Sequence, residues 1–217
     1  MSNIIWSEIW QGTADTLRMT LISTLLAYAV GLPFGVLLVV TDKGHILENK
    51  TINFIFGTLA NILRSIPFLI LLVVLMPFTR LIVGSSIGTT ATIVPLTIGT
   101  IPIIARMVES SLKEVSAGII EAARSMGASS WEIITLFMVP EAGPSLILGA
   151  AINLATILGY SAMAGCIGGG GLGAIALNYG YYRYQTDVLM ITVIILILLI
   201  QIFQTLGTRI ALKVRHS

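Results

Sequence analysis

Residues that could do chemistry are few in this chain of 217 residues, and their spacing excludes more reactions than it permits. Intramembrane proteolysis needs an aspartate pair or a serine–histidine pair at membrane depth, but Asp15, Asp42 and Asp187 all fall outside the apolar stretches. His45 and His216 lie in a turn and in the tail, so neither a buried base nor a histidine-based metal site is on offer. A phosphate-binding loop of the Walker type needs glycine before its lysine; Lys43, Lys50, Lys113 and Lys213 follow Asp, Asn, Leu and Leu. ATP hydrolysis by this chain is excluded on that spacing, and no catalytic residue, metal ligand or cofactor of its own is expected. Gly168, Gly170 and Gly173 satisfy G-x-G-x-x-G, but they follow an apolar span instead of a strand, so the match reads as coincidence. The single cysteine, Cys166, allows no internal disulfide and reads as an apolar core thiol.

The informative polar residues are gathered in Glu121 to Pro140, EAARSMGASSWEIITLFMVP, the longest polar interruption of an otherwise hydrocarbon-like sequence. Ser116 precedes a short helical run in which Ile119, Ala123 and Met126 share one stripe, and Gly127 supplies a left-handed stop. Ser129 and Glu132 have the spacing of a capping box, which predicts a second helix from Ser130 that breaks before Pro140. Two short helices hinged at a glycine form a compact knob suited to a groove on a soluble partner. The small side chains of Ala122, Ala123 and Ala128 would let that partner approach closely.

Long apolar helices must hold this knob. Hydrophobic residues make up 56% of the chain and charged ones 10%, with a mean hydropathy of +0.96, which places it in the membrane class. The net charge of +2 gives no reason to expect nucleic acid. The expected fold is an all-α polytopic membrane protein of one domain, residues 1–217, with five transmembrane helices at about 19–40, 54–78, 87–105, 146–164 and 188–206. The knob loop, about 106–144, joins the third and fourth spans. Glu8 and Asp15 precede the first cation, Arg18, so no signal-peptide n-region is read and the first span is expected to remain. Trp6 and Trp10 suit an interfacial lead-in before it. Gly31-x-x-x-Gly35 permits close helix contact, and Pro95 and Pro102 imply a kink in the third span. Glu109 and Lys113 form an i, i+4 pair where that helix emerges into water.

With the N-terminus outside and the C-terminus in the cytoplasm, Lys43, Lys50, Arg64, Arg106, Lys113, Arg124, Arg209, Lys213 and Arg215 fall inside, nine of twelve cations. Only Arg18, Arg80 and Arg183 fall outside, so the positive-inside rule puts the knob in the cytoplasm. In the fourth span Asn153, Thr156, Tyr160 and Met163 form one stripe with Ser161 beside it, open to two readings: interhelical hydrogen bonding, or lining of a translocation path. No full charge sits centrally in a span, which disfavours ion coupling and a multiply charged solute. Tyr179, Tyr181, Tyr182 and Tyr184 read as an aromatic belt or as an outer docking surface.

Glu121-Ala122-Ala123, then three residues, Gly127, nine residues and Phe137-Met138-Val139-Pro140 resemble the E-A-A-x3-G-x9-I-x-L-P loop of the permease subunits of type I ATP-binding-cassette importers. Phe137 and Val139 replace Ile and Leu and remain apolar. Ile62 to Leu72, Val94 to Leu112 and Gly159 to Gly173 resemble in particular the methionine-import members. The resemblance implies a permease in the bacterial inner membrane, acting as a homodimer with two cytoplasmic ATPase subunits that bind ATP-Mg, and with an extracytoplasmic substrate-binding protein. It implies ATPase coupling through Glu121, Ala122, Ala123, Gly127 and Ala128, a path for a small amino acid, and Arg64 at the cytoplasmic mouth, although snorkelling to headgroups explains Arg64 more simply. Two rivals remain from the residues alone: an ATP-independent secondary transporter or channel, and a membrane scaffold whose knob only recruits a protein.

Overall fold

The computed structural model describes residues 3–215, with side chains for 5–214, so His216 and the Arg215 side chain lie outside the described residues. The described residues form helices and turns without strands. The first helix, α1 (Asn3–Val40), is longer than the expected span because the lead-in is helical too. At about 1.5 Å per residue it is about 57 Å long, well beyond a hydrocarbon core of about 30 Å. Asp15 therefore stands on a helix, not in a polar leader. Buried Ile9, Thr16, Met19 and Thr20 explain the extension, since they give its early turns a packed face.

Val39 and Val40 lead into a turn and then α2 (Lys50–Ser65), capped by Asn49, whose side chain accepts from the Ile52 N–H at 3.0 Å. A single second span at 54–78 is not observed. α2 stops at Ser65, Pro67 begins α3 (Phe68–Val83), and the two are bent by 106°. Pro67 disfavours helical backbone at Ile66, which is extended (φ −78°, ψ 122°). α4 (Thr89–Lys113) runs on past both Pro95 and Pro102 and past the expected end at 105, as one helix. Thr97 and Thr100 return bonds to the carbonyls of Ile93 and Leu96 near these prolines.

Packing fixes how the chain crosses. Ser23 donates to the Ile93 carbonyl, Gly31 lies on Ile104, Gly35 on Val108, and Asp42 pairs with Lys113, so α1 and α4 run parallel. The chain leaves α1 at one end and enters α4 at the other. The bent α2–α3 pair must therefore carry it across, which makes five crossings with α1, α4, α8 (Gly143–Ala164) and α10 (Thr186–Arg215). The last two extend the spans expected at 146–164 and 188–206. α8 runs against α4, with Ser145 bonded to Ser111 and Gly169 beside Thr92 at its far end. α10 runs against α8, with Gly207 on Ala151.

One end of the bundle carries the α1–α2 turn, the knob and the last turns of α10. The other carries the α3–α4 turn, the glycine run and α9 (Gly171–Ile175), which widens into a π-helical stretch, Ala176–Tyr181. The glycine run docks on α1 and α4: the Leu172 N–H donates to Thr16 at 2.8 Å, and the Gly88 N–H donates to the Gly168 carbonyl at 2.9 Å. Cys166, expected in the core, is exposed in the short turn after α8 because the chain folds back there.

A Cβ at Gly35 would sit 2.5 Å from the Ala105 carbonyl oxygen, a backbone atom, whereas at Gly31 the nearest atom belongs to the Ile104 side chain. Gly35→Val should therefore cost about 1–3 kcal/mol, and Gly31→Ala less. Thermal unfolding of the detergent-purified protein checks this; equal midpoints for both variants would contradict the α1–α4 contact.

Candidate functional site

The knob is built as the sequence predicts in its first half. α5 (Ala117–Ser125) ends on Met126, and Gly127 takes φ +83°. The Gly127 N–H reaches the Arg124 carbonyl at 2.9 Å and the Ala128 N–H reaches Ala123 at 3.1 Å, the paired bonds of a Schellman stop. The next helix, α6 (Ser130–Glu132), opens on a complete capping box: the Glu132 carboxylate accepts from the Ser129 N–H at 2.8 Å, and the Ser129 hydroxyl accepts from the Glu132 N–H. The Ser129 hydroxyl and then its backbone N–H, both donating to the carboxylate, hold Glu132 below the usual carboxylate range.

The second half departs from expectation, because the helix does not break before Pro140. It widens into a π-helical stretch, Ile133–Met138, and continues as α7 (Val139–Glu141) to Ala142, directly before α8. The wider turn offsets the clash that the Pro140 ring would have with the Leu136 carbonyl. The knob is thus welded to α8.

Ala123 corrects a second expectation. It is fully buried, together with Ile133, Met138 and Ala142 and with Ile104, Val108 and Leu112 of α4, so its small size serves the chain's own core instead of a partner's approach. Ala128 is half-buried against the same cluster. Glu121, Ala122 and Gly127 are exposed, as are Met126, Trp131 and Leu136, which leaves an apolar cap on the knob. Met126 therefore lies off the buried stripe proposed for it with Ile119 and Ala123. A cavity of about 680 Å³ flanks the knob, lined by Glu114, Phe137, Pro140 and Glu141 among others.

A chain of ion pairs lies beneath the knob. Lys113 bridges Asp42 (2.7 Å) and Glu109 (2.9 Å), and Glu109 in turn binds Arg106 at 2.6 Å. The Glu109–Lys113 pair is legible as an i, i+4 spacing and Arg106–Glu109 as i, i+3 on the same helix; Asp42 comes from the α1–α2 turn and carries no sequence signal. A hydrogen bond from Lys113, then one from the Lys43 N–H, holds Asp42 below the usual carboxylate range. His45, on the same turn, is half-buried near Arg124 of α5, and burial, then the Arg124 charge, pushes its imidazole down.

The stripe in α8 divides. Asn153 is buried and donates to the Tyr28 hydroxyl of α1 at 3.1 Å, so at that position interhelical bonding is what the stripe does. Ser161 is buried and donates to the Leu158 carbonyl. Tyr160 stacks on Phe68 of α3 with ring centroids 4.1 Å apart. Thr156 donates back to the Ile152 carbonyl on a partly open face, and Met163 is exposed. At the opposite end Tyr181, Tyr182 and Tyr184 are exposed, and Arg183 lies 4.4 Å over the Tyr179 ring. Among the described residues no group of three or more His, Cys, Asp or Glu could hold a metal ion.

The sequence signature of the family described as binding-protein-dependent transport system inner membrane component matches residues 31–216. A relative from Pasteurella multocida (strain Pm70), described as a probable D-methionine transport system permease protein, is 46% identical over 216 residues and covers 100% of both chains. The D-methionine transport system permease protein of Escherichia coli (strain K12) is 51% identical over 155 residues, 71% of each chain. A solved structure described as an inward-facing conformation of the MetNI methionine ABC transporter contains a chain that superposes with a TM-score of 0.97, at 46% identity and 99% coverage of both.

His45 generates a pH prediction. Its depressed pKa means that the released turn binds the proton more readily than the packed one, so packing is complete above the ordinary value of 6.5 and weakens as pH falls through it. Asp42 stays ionised across that window. The protection of amides 41–49, corrected for the intrinsic pH dependence of amide exchange, should fall between about pH 7.5 and about pH 5.5, and His45→Gln should flatten the fall. A flat wild-type profile would contradict the placement of His45 against Arg124 and Lys113.

Proposed function

The chain belongs to the family of binding-protein-dependent transport system inner membrane components, and on that premise we propose that it is the permease subunit of an ATP-driven methionine importer. In this reading two copies form the path, each knob seats in a groove of a separate cytoplasmic ATPase that binds ATP-Mg, and an extracytoplasmic binding protein delivers the solute. The observation that carries it is the knob: a capped elbow that shares its core with α4 and is separated from α8 by the single turn residue Ala142.

Charge supports the orientation. Lys43, Lys50, Arg106, Lys113, Arg124 and Lys213 lie at the knob end, whereas Arg80 and Arg183 lie at the other, which favours a cytoplasmic knob and C-terminus and an outer N-terminus. Glu121, Ala122 and Gly127 are open to a partner, while Ala123 and Ala128 hold the shape that it meets. Approach of the two ATPases displaces the knobs, and α4 and α8, joined to the knob at its two ends, change their packing and alter which side the path opens to. Thr156 and Met163, on the open face of α8, are the members of the stripe placed to line that path; Asn153, Tyr160 and Ser161 support it from behind. Met163 offers a soft, adaptable contact to a thioether side chain. The coupling is reciprocal, so a loaded binding protein on the outer face must change nucleotide affinity within.

Reconstitution with ATPase and binding protein tests this. Labelled methionine should enter vesicles only with ATP, ahead of leucine and of charged amino acids. Gly127→Pro, impossible at φ +83°, and Glu121→Lys should lower uptake per ATP by about ten-fold or more while the protein remains inserted. Uptake driven by an ion gradient in vesicles holding this chain alone would overturn the proposal.

A further inference from the structure

Like α10, α2 sends no residue into either of the two buried apolar clusters, and its one fully buried side chain is Ala60. Its larger apolar residues, Phe54, Ile55, Leu59 and Ile62, point away from the chain and are exposed. Inward it presents Ala60 and Phe56, whose ring meets Phe34 of α1 edge-on with centroids 5.7 Å apart, and beside them polar groups. Asn53 donates to the Leu38 carbonyl at 2.6 Å and to the Thr41 hydroxyl at 3.2 Å, tying the first turns of α2 to the end of α1. Farther along, Arg106 of α4 donates through Nη2 to the Gly57 carbonyl at 2.7 Å and to Asn61 Oδ1 at 2.9 Å. Beyond lies the 106° break at Ile66 and Pro67. α3 on the far side of that break is fixed by apolar packing: Phe68 and Leu72 belong to the second buried cluster, and Leu71 presses on Gly99.

The same guanidinium reaches the knob's stem. Arg106 Nη1 binds one oxygen of Glu109, Lys113 binds the other, and α5 begins four residues after Lys113. Arg106 Nε is buried without an acceptor among the described residues, so the attached state does not spend all of the group's donors.

We propose that Arg106 is a positioning residue for transport: it latches α2 to the α4 stem of the knob, so that knob displacement releases or restores the latch and lets α2 pivot at Ile66–Pro67 to open or close the inner mouth of the path. This rests on the permease reading for its consequence, but not for the latch itself. A segment held mainly by a few hydrogen bonds is released when those bonds exchange partners, whereas one held by an interdigitated core must also give up its packing. The forked, planar donor set is what lysine lacks, so Arg106→Lys keeps the charge beside Glu109 and loses the simultaneous hold on Gly57 and Asn61.

Amide exchange and coupled transport together test the latch. In the purified assembly, Arg106→Lys and Asn61→Ala should each raise exchange across Lys50–Ser65 by about ten-fold, with α8 at its wild-type level. In vesicles with ATPase and binding protein, both should lower methionine carried per ATP hydrolysed by a similar factor. Should Arg106→Lys fail to assemble, Asn61→Ala decides alone, since it leaves the ion pairs of α4 in place. Unchanged α2 exchange in the variants overturns the latch, and raised exchange with undiminished uptake per ATP overturns the positioning role. Raised exchange in a protein whose wild type shows no ATP-driven uptake supports the latch and removes the permease reading instead.

Discussion

A polar elbow can move membrane helices only if it is continuous with their core. That constraint is met by Ala123, Ile133 and Met138, which are buried with Ile104, Val108 and Leu112 of α4 and with Ala27 and Val39 of α1. A hinge of two helices lying on the bundle surface would bend when pushed; one whose inner face is packed into two crossing helices moves with them. The Schellman stop at Gly127 and the capping box at Ser129 finish the outer face by satisfying the helix ends, and the π-helical stretch keeps the path into α8 unbroken through Pro140.

The rest of the architecture follows from the parallel contact of α1 and α4. Glycines at 31 and 35 bring the two backbones close, and this contact sets which end of the bundle each turn occupies. It forces α2 and α3 to carry the chain across despite their bend, and it stacks the α1–α2 turn beneath the knob, where Asp42 meets Lys113. The knob, the ion pairs and α2 are neighbours for this one reason.

Much of this was legible in the sequence, where local chemistry decides the outcome. Gly127, Ser129 and Glu132 announce their turns by type and spacing, and Gly31 and Gly35 announce a close contact. The readings that missed depend on contacts between distant segments. Ala123 looked available to a partner because the burial of α5 against α4 leaves no mark within the loop. The second span looked continuous because the hydropathy of Phe54 to Phe78 does not register a bend at Pro67. The stripe in α8 looked uniform, yet Asn153 finds Tyr28 on α1, 125 residues away, while Met163 finds open space. The spacing of Arg106 from Glu109 signals their ion pair alone, since its other acceptors, the Gly57 carbonyl and Asn61, become a site only when α2 is laid on α4.

In the permease reading the knob projects on the cytoplasmic side and is covered there by a nucleotide-binding partner. In a Cys166→Ala background, which removes the exposed native thiol, a cysteine introduced at exposed Ser125 can be probed with a membrane-impermeant maleimide. The account predicts labelling in inside-out vesicles, none in right-side-out vesicles, and protection when the ATPase subunit is bound. Labelling from the outer side, or equal labelling with and without the ATPase, would contradict it.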